Sequence, residues 1–191
     1  AAVARKARED GLTGISHLKA VGGDIRFAQN EADGSRTIAH LAEVVAAVQT
    51  HRGQTNMLLS GNGAVRASLD KTREALPTAL ATARAALTAR PDFGLDPDWQ
   101  ALEVRLQRLA DTEKLTPVQS FDTHTTLIAD LKRLMYTTGE RSSLLFDPDP
   151  ASYFLMDIAV SRVVPWIEHM ARLRGQGAGL LSRAEGPGEG A

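Results

Sequence analysis

Four stretches of about 25–30 residues each carry a narrow apolar seam at three- and four-residue spacing, and short breaks rich in glycine, proline and asparagine separate them. One seam runs Ile38, Leu41, Val45, Val48. A second runs Val65, Leu69, Leu76, Leu80, Leu87. A third runs Phe121, His124, Ile128, Leu131, Met135, Thr138, and a fourth runs Tyr153, Met156, Val160, Val163, Ile167, Met170. Seams this narrow bury one edge of a helix rather than a broad face, and each helix would be about 40 Å long. The pattern predicts an all-α fold, an elongated antiparallel four-helix bundle with additional short helices. Residues 1–185 read as a single helical-bundle domain, and 186–191 as a disordered tail or chain end.

Local signals divide the chain into six helical segments. The first covers residues 2–30 and closes at the polar run Asn30-Glu31-Ala32-Asp33-Gly34. Ser35 is then placed to cap a second helix that ends at Gly61-Asn62-Gly63. The third covers 64–89 with Pro77 inside it. Asp96 caps a shorter fourth helix with Pro97 at its first position and Trp99, Leu102, Leu106 and Leu109 along it. Thr116-Pro117 opens the fifth, over 117–145. After a stiff turn, Phe146-Asp147-Pro148-Asp149-Pro150, the sixth covers 151–183 and contains Pro165.

Composition removes several function classes. The net charge of −1 gives no basic field for nucleic acid. Aromatic residues make up 5%, which favours helix over sheet. Cysteine is absent, so disulfides and thiolate metal sites are excluded. His17, His40, His51, His124 and His169 stand alone, without a second ligand one helical turn away, so no metal site and no cofactor is expected. There is no nucleophile elbow, phosphate-binding loop or dinucleotide fingerprint, and the chain does not read as an enzyme. No run of about 18 apolar residues is present to span a membrane. Both termini read as cuts within a longer protein, so any membrane anchors would lie outside this chain.

One phrase occurs twice. Residues 52–60 are Arg-Gly-Gln-Thr-Asn-Met-Leu-Leu-Ser, and residues 174–182 are Arg-Gly-Gln-Gly-Ala-Gly-Leu-Leu-Ser. In each copy the arginine extends the apolar seam of its helix. A guanidinium facing a helix interior needs a partner, because an unpaired buried charge is very costly. Arginine's planar fork suits carboxylate, nitrate or phosphate. Arg52 and Arg174 therefore either clamp a small anion or pair with buried acids, for which Asp157 and Asp130 are candidates. Around Arg52 stand His51, Thr55 and Asn56. His124 lies in the seam of the fifth segment, and Tyr153 and Asp157 lie near the end of the bundle.

Several segments together carry a family resemblance: His51-Arg52-Gly53, Leu58-Leu59-Ser60-Gly61-Asn62, Trp99, Phe121-Asp122-Thr123-His124-Thr125, the run from Leu144 to Asp157 containing Asp147-Pro148-Asp149-Pro150, and Leu173-Arg174-Gly175-Gln176. In that order and spacing they resemble the extracytoplasmic helical sensor region of bacterial methyl-accepting chemotaxis receptors and related membrane sensor kinases. The resemblance implies a periplasmic domain between two transmembrane helices, a homodimer, and signalling by helix displacement. The RG helix is further similar to that of nitrate- and nitrite-sensing helical domains, whose arginines at the start of the RG segment contact the anion. By position that role falls on Arg52 and Arg174. The residue before Arg52 is His51 rather than a second arginine, so a small carboxylate stands beside nitrate as the expected ligand. The alternative is a protein-interaction or dimerisation module without its own small-molecule ligand, for example one that docks a periplasmic binding protein.

Overall fold

The computed structural model describes residues 2–146 and 150–184. All the regular elements among them are helical. Helix α1 is Ala2–Leu59, α2 Arg66–Thr88, α3 Asp96–Gln107, α4 Pro117–Arg141, α5 Pro150–Met156 and α6 Val164–Ala184. The turn at 147–149 and the tail at 186–191 lie outside the described residues.

Cross-helix contacts fix the topology. His51 meets His124 and Gly34 meets Ser142, so α4 runs antiparallel to α1. His51 meets Arg73 across the turn at 60–65, so α2 is antiparallel to α1 as well. Gln49 meets Glu168 and Asn56 meets Gly175, so α6 is parallel to α1. The short α3 returns the chain between α2 and α4, which both run in the same sense. Ion pairs Arg84–Glu103 and Arg105–Asp130 tie it to those two helices.

The seams of α1, α2 and α4 meet in a common core. Leu41, Val44 and Val48 pack with Leu76, Leu80 and Leu87, with Leu127, Ile128 and Leu131, and with Trp99 and Leu106 from α3. Thr116 and Gln119 form a reciprocal capping box at the start of α4, with Pro117 at the first position. Asp96 does not cap α3 through its side chain. It is the first helical residue, and with Asp98 it places negative charge in the first turn.

The expected break at 30–35 is absent, and α1 runs unbroken for 58 residues, about 85 Å. The polar run that reads as a turn is held on the helix surface by the loop after α2. Arg90 donates to Asp33 at 2.7 Å and to Asn30 at 2.6 Å. Gly34 serves close packing instead of a turn, because a Cβ there would overlap the Ser142 side chain.

The second departure concerns the last helix. Residues 157–163 are π-helical, joining α5 to α6. Pro165 follows at once; it has no N–H to donate to the Ser161 carbonyl, so α-helical bonding fails at this point. Past the π segment the inward face carries Glu168, Gly175, Gly179 and Ser182. The expected apolar seam of this segment points largely outward, and Ile167, Met170 and Leu181 are exposed. The inward face is small because α6 lies close to α1. A Cβ on Gly175 would stand 3.1 Å from the Phe121 ring and 4.0 Å from the Gly53 Cα, and one on Gly179 would overlap the Asn56 amide. The two RGQ copies are therefore neighbours on parallel helices, meeting at their glycines.

Candidate functional site

Residues 51–56 of α1 place four polar side chains inside the bundle, because the helical turn presents 51 and 55 to one neighbour and 52 and 56 to another. His51 and Thr55 face α4. Arg52 faces the space shared by α4 and α6, and Asn56 faces α6. All four are buried, and His124 of α4 is buried with them.

Arg52 is 1% exposed and already holds an anion, the carboxylate of Glu168. Its Nη1 donates to Oε1 at 2.6 Å, and its Nη2 to Oε2 at 3.1 Å, the two-pronged geometry of a guanidinium on a planar acid. Gln49 donates to Oε2 at 2.8 Å, and Arg52 Nη1 also donates to Thr125 Oγ1 at 3.0 Å. The Phe121 ring covers the guanidinium with its centroid 4.8 Å away. Arg52 Nε is buried without a hydrogen-bond partner, as is the Ser120 hydroxyl one turn before His124. A buried donor left unpaired costs about 1–3 kcal/mol, so each of these two atoms has hydrogen-bonding capacity the fold leaves unmet.

The histidines form a directed chain. His124 Nδ1 lies 2.7 Å from the Ser120 carbonyl, which can only accept, so Nδ1 carries the proton. His124 Nε2 is then the acceptor for His51 Nδ1–H, at 2.7 Å. His51 Nε2 faces Arg73 Nε at 3.4 Å, and Thr55 Oγ1 lies 3.2 Å from His51 Nδ1. Both rings are neutral. Burial, then the neighbouring His124 and Arg73, push His51 down to about 3. Burial is also the main cause for His124, pushed down to about 4 with Arg52 contributing and the Ser120 carbonyl opposing.

The structure brings His51, Arg52, Thr55, Asn56 and His124 to one level of the bundle. Tyr153, Asp157 and Arg174 do not join them. Arg174 is exposed, because Gly175 rather than Arg174 faces α1, so its expected inward orientation is corrected. Asp157 lies at the start of the π segment and pairs with Arg162 at 2.9 Å, about 16 Å along the axis from Glu168. Tyr153 is partly exposed beside Phe154. Asp130, the other acid considered for Arg52, pairs instead with Arg105 and Arg133. The acid that does pair, Glu168, sits on the stripe Val160, Val164, Ala171, Gly175, one turn before Ala171 and two before Gly175. That stripe is its sequence signal, and the stronger apolar seam beside it hides it.

A cavity of about 290 Å³ adjoins this level, between the end of α1, the start of α4 and α6. Phe121 and Asn56 line it, with Val118, Asp122, Leu180 and Arg183 nearer the outside. Phe121 thus separates the cavity from Arg52. No helix among the described residues is long and apolar enough to cross a membrane, and no group of three or more potential metal-ligating side chains is present among them.

A family profile described as nitrate and nitrite sensing matches residues 43–189. No curated protein and no solved structure matches the chain significantly. The match spans α1 from Glu43, including Arg52, and continues through α6. The chain belongs to the nitrate and nitrite sensing family.

Proposed function

We propose, taking that membership as the premise, that this domain senses a small planar oxyanion, nitrate or nitrite, at Arg52. The observation that carries the reading is a fully buried guanidinium with an unpaired Nε–H, covered by Phe121, a ring that also lines the neighbouring cavity. Nitrate has the flat, three-oxygen shape that a guanidinium fork reads, and the unpaired Ser120 hydroxyl adds a neutral donor. Glu168 occupies the fork in the ligand-free state as an internal stand-in for the ligand. The incoming anion takes the fork from Glu168, and α6, which that pair ties to α1, is freed to move. Helix displacements of about 1–2 Å are enough to bias a two-state bundle. His51 and His124, being neutral, add no competing positive charge.

Arg52→Lys tests this directly, since lysine keeps the charge and loses the planar fork. Nitrate at 100 times its dissociation constant is expected to raise the stability of the unaltered chain by about 2.7 kcal/mol, read as a thermal shift, and to do little for the variant. Equal shifts in both, or none with nitrate or nitrite in the unaltered chain, would remove Arg52 from the reading.

The receptor context is part of the same proposal: an extracytoplasmic domain, anchored by membrane helices outside this chain, that works as a homodimer and passes its signal to a cytoplasmic output. Its support is the outward face of the last helical segment. Phe154, Leu155, Ile158, Trp166, Met170 and Leu173 are all exposed there, Trp166 at 63% and Leu173 at 65%, more apolar surface than a lone domain keeps in water. A second copy is the occupant, its equivalent stripe packing against this one. The chain has no cysteine, so Leu173→Cys introduces a single thiol. In a membrane-anchored receptor carrying this domain it is expected to form a disulfide with its counterpart on the second copy. Absence of crosslinking there and at Trp166→Cys would count against this face as the dimer contact.

A further inference from the structure

A larger cavity lies on the other side of α1, between α2 and α3, with a volume of about 500 Å³. We infer that it is a second binding site, for a small monocarboxylic acid with an aliphatic or aromatic body. Its volume falls in the range of small-molecule sites, about 300–1,000 Å³. Leu76, Leu80, Leu106 and Leu109 line it with Pro77 and Ala85, a surface suited to an apolar body and poorly suited to a hydrated inorganic ion.

The polar groups at its edges favour an acid. Arg84 donates through Nε and Nη2 to Glu103, which leaves its Nη1 without a partner among the described residues. Arg73 pairs through Nη2 with Glu113, while its Nη1 lies 3.7 Å from Asp70, beyond hydrogen-bond reach. Both arginines line the cavity, and the unpaired Arg84 Nη1 and the loosely held Arg73 Nη1 are the donors an acid could use there. The acids Glu103 and Glu113 are held by their own arginines. Pro77 lies in the cavity wall and has no N–H, so the carbonyl of Arg73 loses its helical partner. His51 also lines the cavity, where its Nε2 accepts from Arg73 Nε at 3.4 Å.

The site is separate from Arg52, which faces α4 and α6 on the opposite side of α1. The two spaces nevertheless touch consecutive residues, His51 and Arg52. An occupant of the α2–α3 cavity contacts the ring that anchors His124, so the second site reaches the level of the anion site through side chains already in place.

Benzoate and isovalerate are suitable probes, with benzyl alcohol and nitrate as comparisons, titrated into the whole chain and followed by backbone amide spectra. The expected result is saturable shifts confined to residues 76–85 and 103–110, and to α1 near His51, with either acid and not with benzyl alcohol. Ala81 and Ala110 line the cavity and are exposed, so Ala81→Trp and Ala110→Trp fill it without entering the core. Each is expected to weaken binding about tenfold or more, about 1.4 kcal/mol or above, with the helical circular dichroism unchanged. Arg52→Lys is expected to leave acid binding intact, which separates this site from the anion reading. The inference is overturned if neither acid shifts these residues, if both tryptophan variants bind as the unaltered chain does, or if Arg52→Lys abolishes acid binding.

Discussion

Glu168→Ala is expected to cost about 3–5 kcal/mol of unfolding free energy, because it leaves the Arg52 guanidinium buried with its charge unmatched. Arg52 keeps Thr125 and the Phe121 ring, neither of which neutralises it. Gln49, which also donates to Glu168, loses its acceptor at the same time. The proposed exchange of anions predicts more than this loss. With the internal carboxylate gone, nitrate no longer has a competitor, so added nitrate should restore a large part of the lost stability and bind more tightly than to the unaltered chain. Chemical denaturation with and without nitrate, beside sodium sulfate as a salt control, measures both. A destabilised variant that nitrate rescues no better than sulfate does would mean that the pocket left by Glu168 is not an anion site.

The histidine pair sets the second large effect, a loss of stability in mild acid. An unfolded histidine titrates near 6.5, while burial holds His51 down to about 3 and His124 to about 4. A group whose folded value is depressed stabilises the fold above its unfolded value and ceases to do so as the pH falls towards the folded one. The unfolded chain therefore takes up protons first, and stability declines from about pH 6.5 downward. By pH 5 each ring accounts for about 2 kcal/mol, so the pair accounts for about 4 kcal/mol. Arg73 and Arg52 stand beside the two rings and oppose protonation of either, and the Ser120 carbonyl is the one group that favours it. Urea melts at pH 7 and pH 5 test this, with the double variant His51→Gln, His124→Gln beside the unaltered chain. The variant should lose most of the difference between the two pH values. An equal difference in both proteins would assign the acid sensitivity to carboxylates elsewhere.

The helical class of the fold and the seams of α1, α2 and α4 are legible because their buried residues are large and apolar, and periodicity reports such faces directly. The phase of α6 is not legible for the opposite reason. Its inward face is Glu168, Ala171, Gly175, Gly179 and Ser182, a stripe whose virtue is small size, while its outward face is the more hydrophobic of the two. A reading that sends hydrophobic residues inward chooses the wrong face, and takes Arg174 inward with it. The π segment before α6 adds a shift of phase that no residue count across 151–183 anticipates. The continuity of α1 is hidden because what holds Asn30 and Asp33 on the helix is Arg90, some sixty positions away. Local turn chemistry is correctly identified there and outweighed by a tertiary ion pair. At the candidate site, the repeated phrase pointed to Arg52, and adjacency added His51, Thr55 and Asn56. His124 came from a polar interruption of an apolar seam. Glu168 needed knowledge of which face α6 turns inward.

The glycine contact between α1 and α6 also determines how the two helices can move. Helices that interlock through large side chains resist axial slip, since each ridge must climb out of its groove before the next position is reached. Around Gly53 and Gly175 the two backbones come close with little side chain between them, and Asn56 is the side chain seated against Gly179. Inside the bundle their axial position is held by a short catch: the two prongs of Arg52 on Glu168, the Gln49 amide on the same carboxylate, and the Asn56 amide on the Gly175 carbonyl, with Arg183 reaching Ser60 at the exposed end. Two of the three inner attachments share the one carboxylate. Under the proposed exchange of anions, unseating Glu168 would open most of that catch in a single event, and the freedom gained would lie along the shared axis of the two parallel helices.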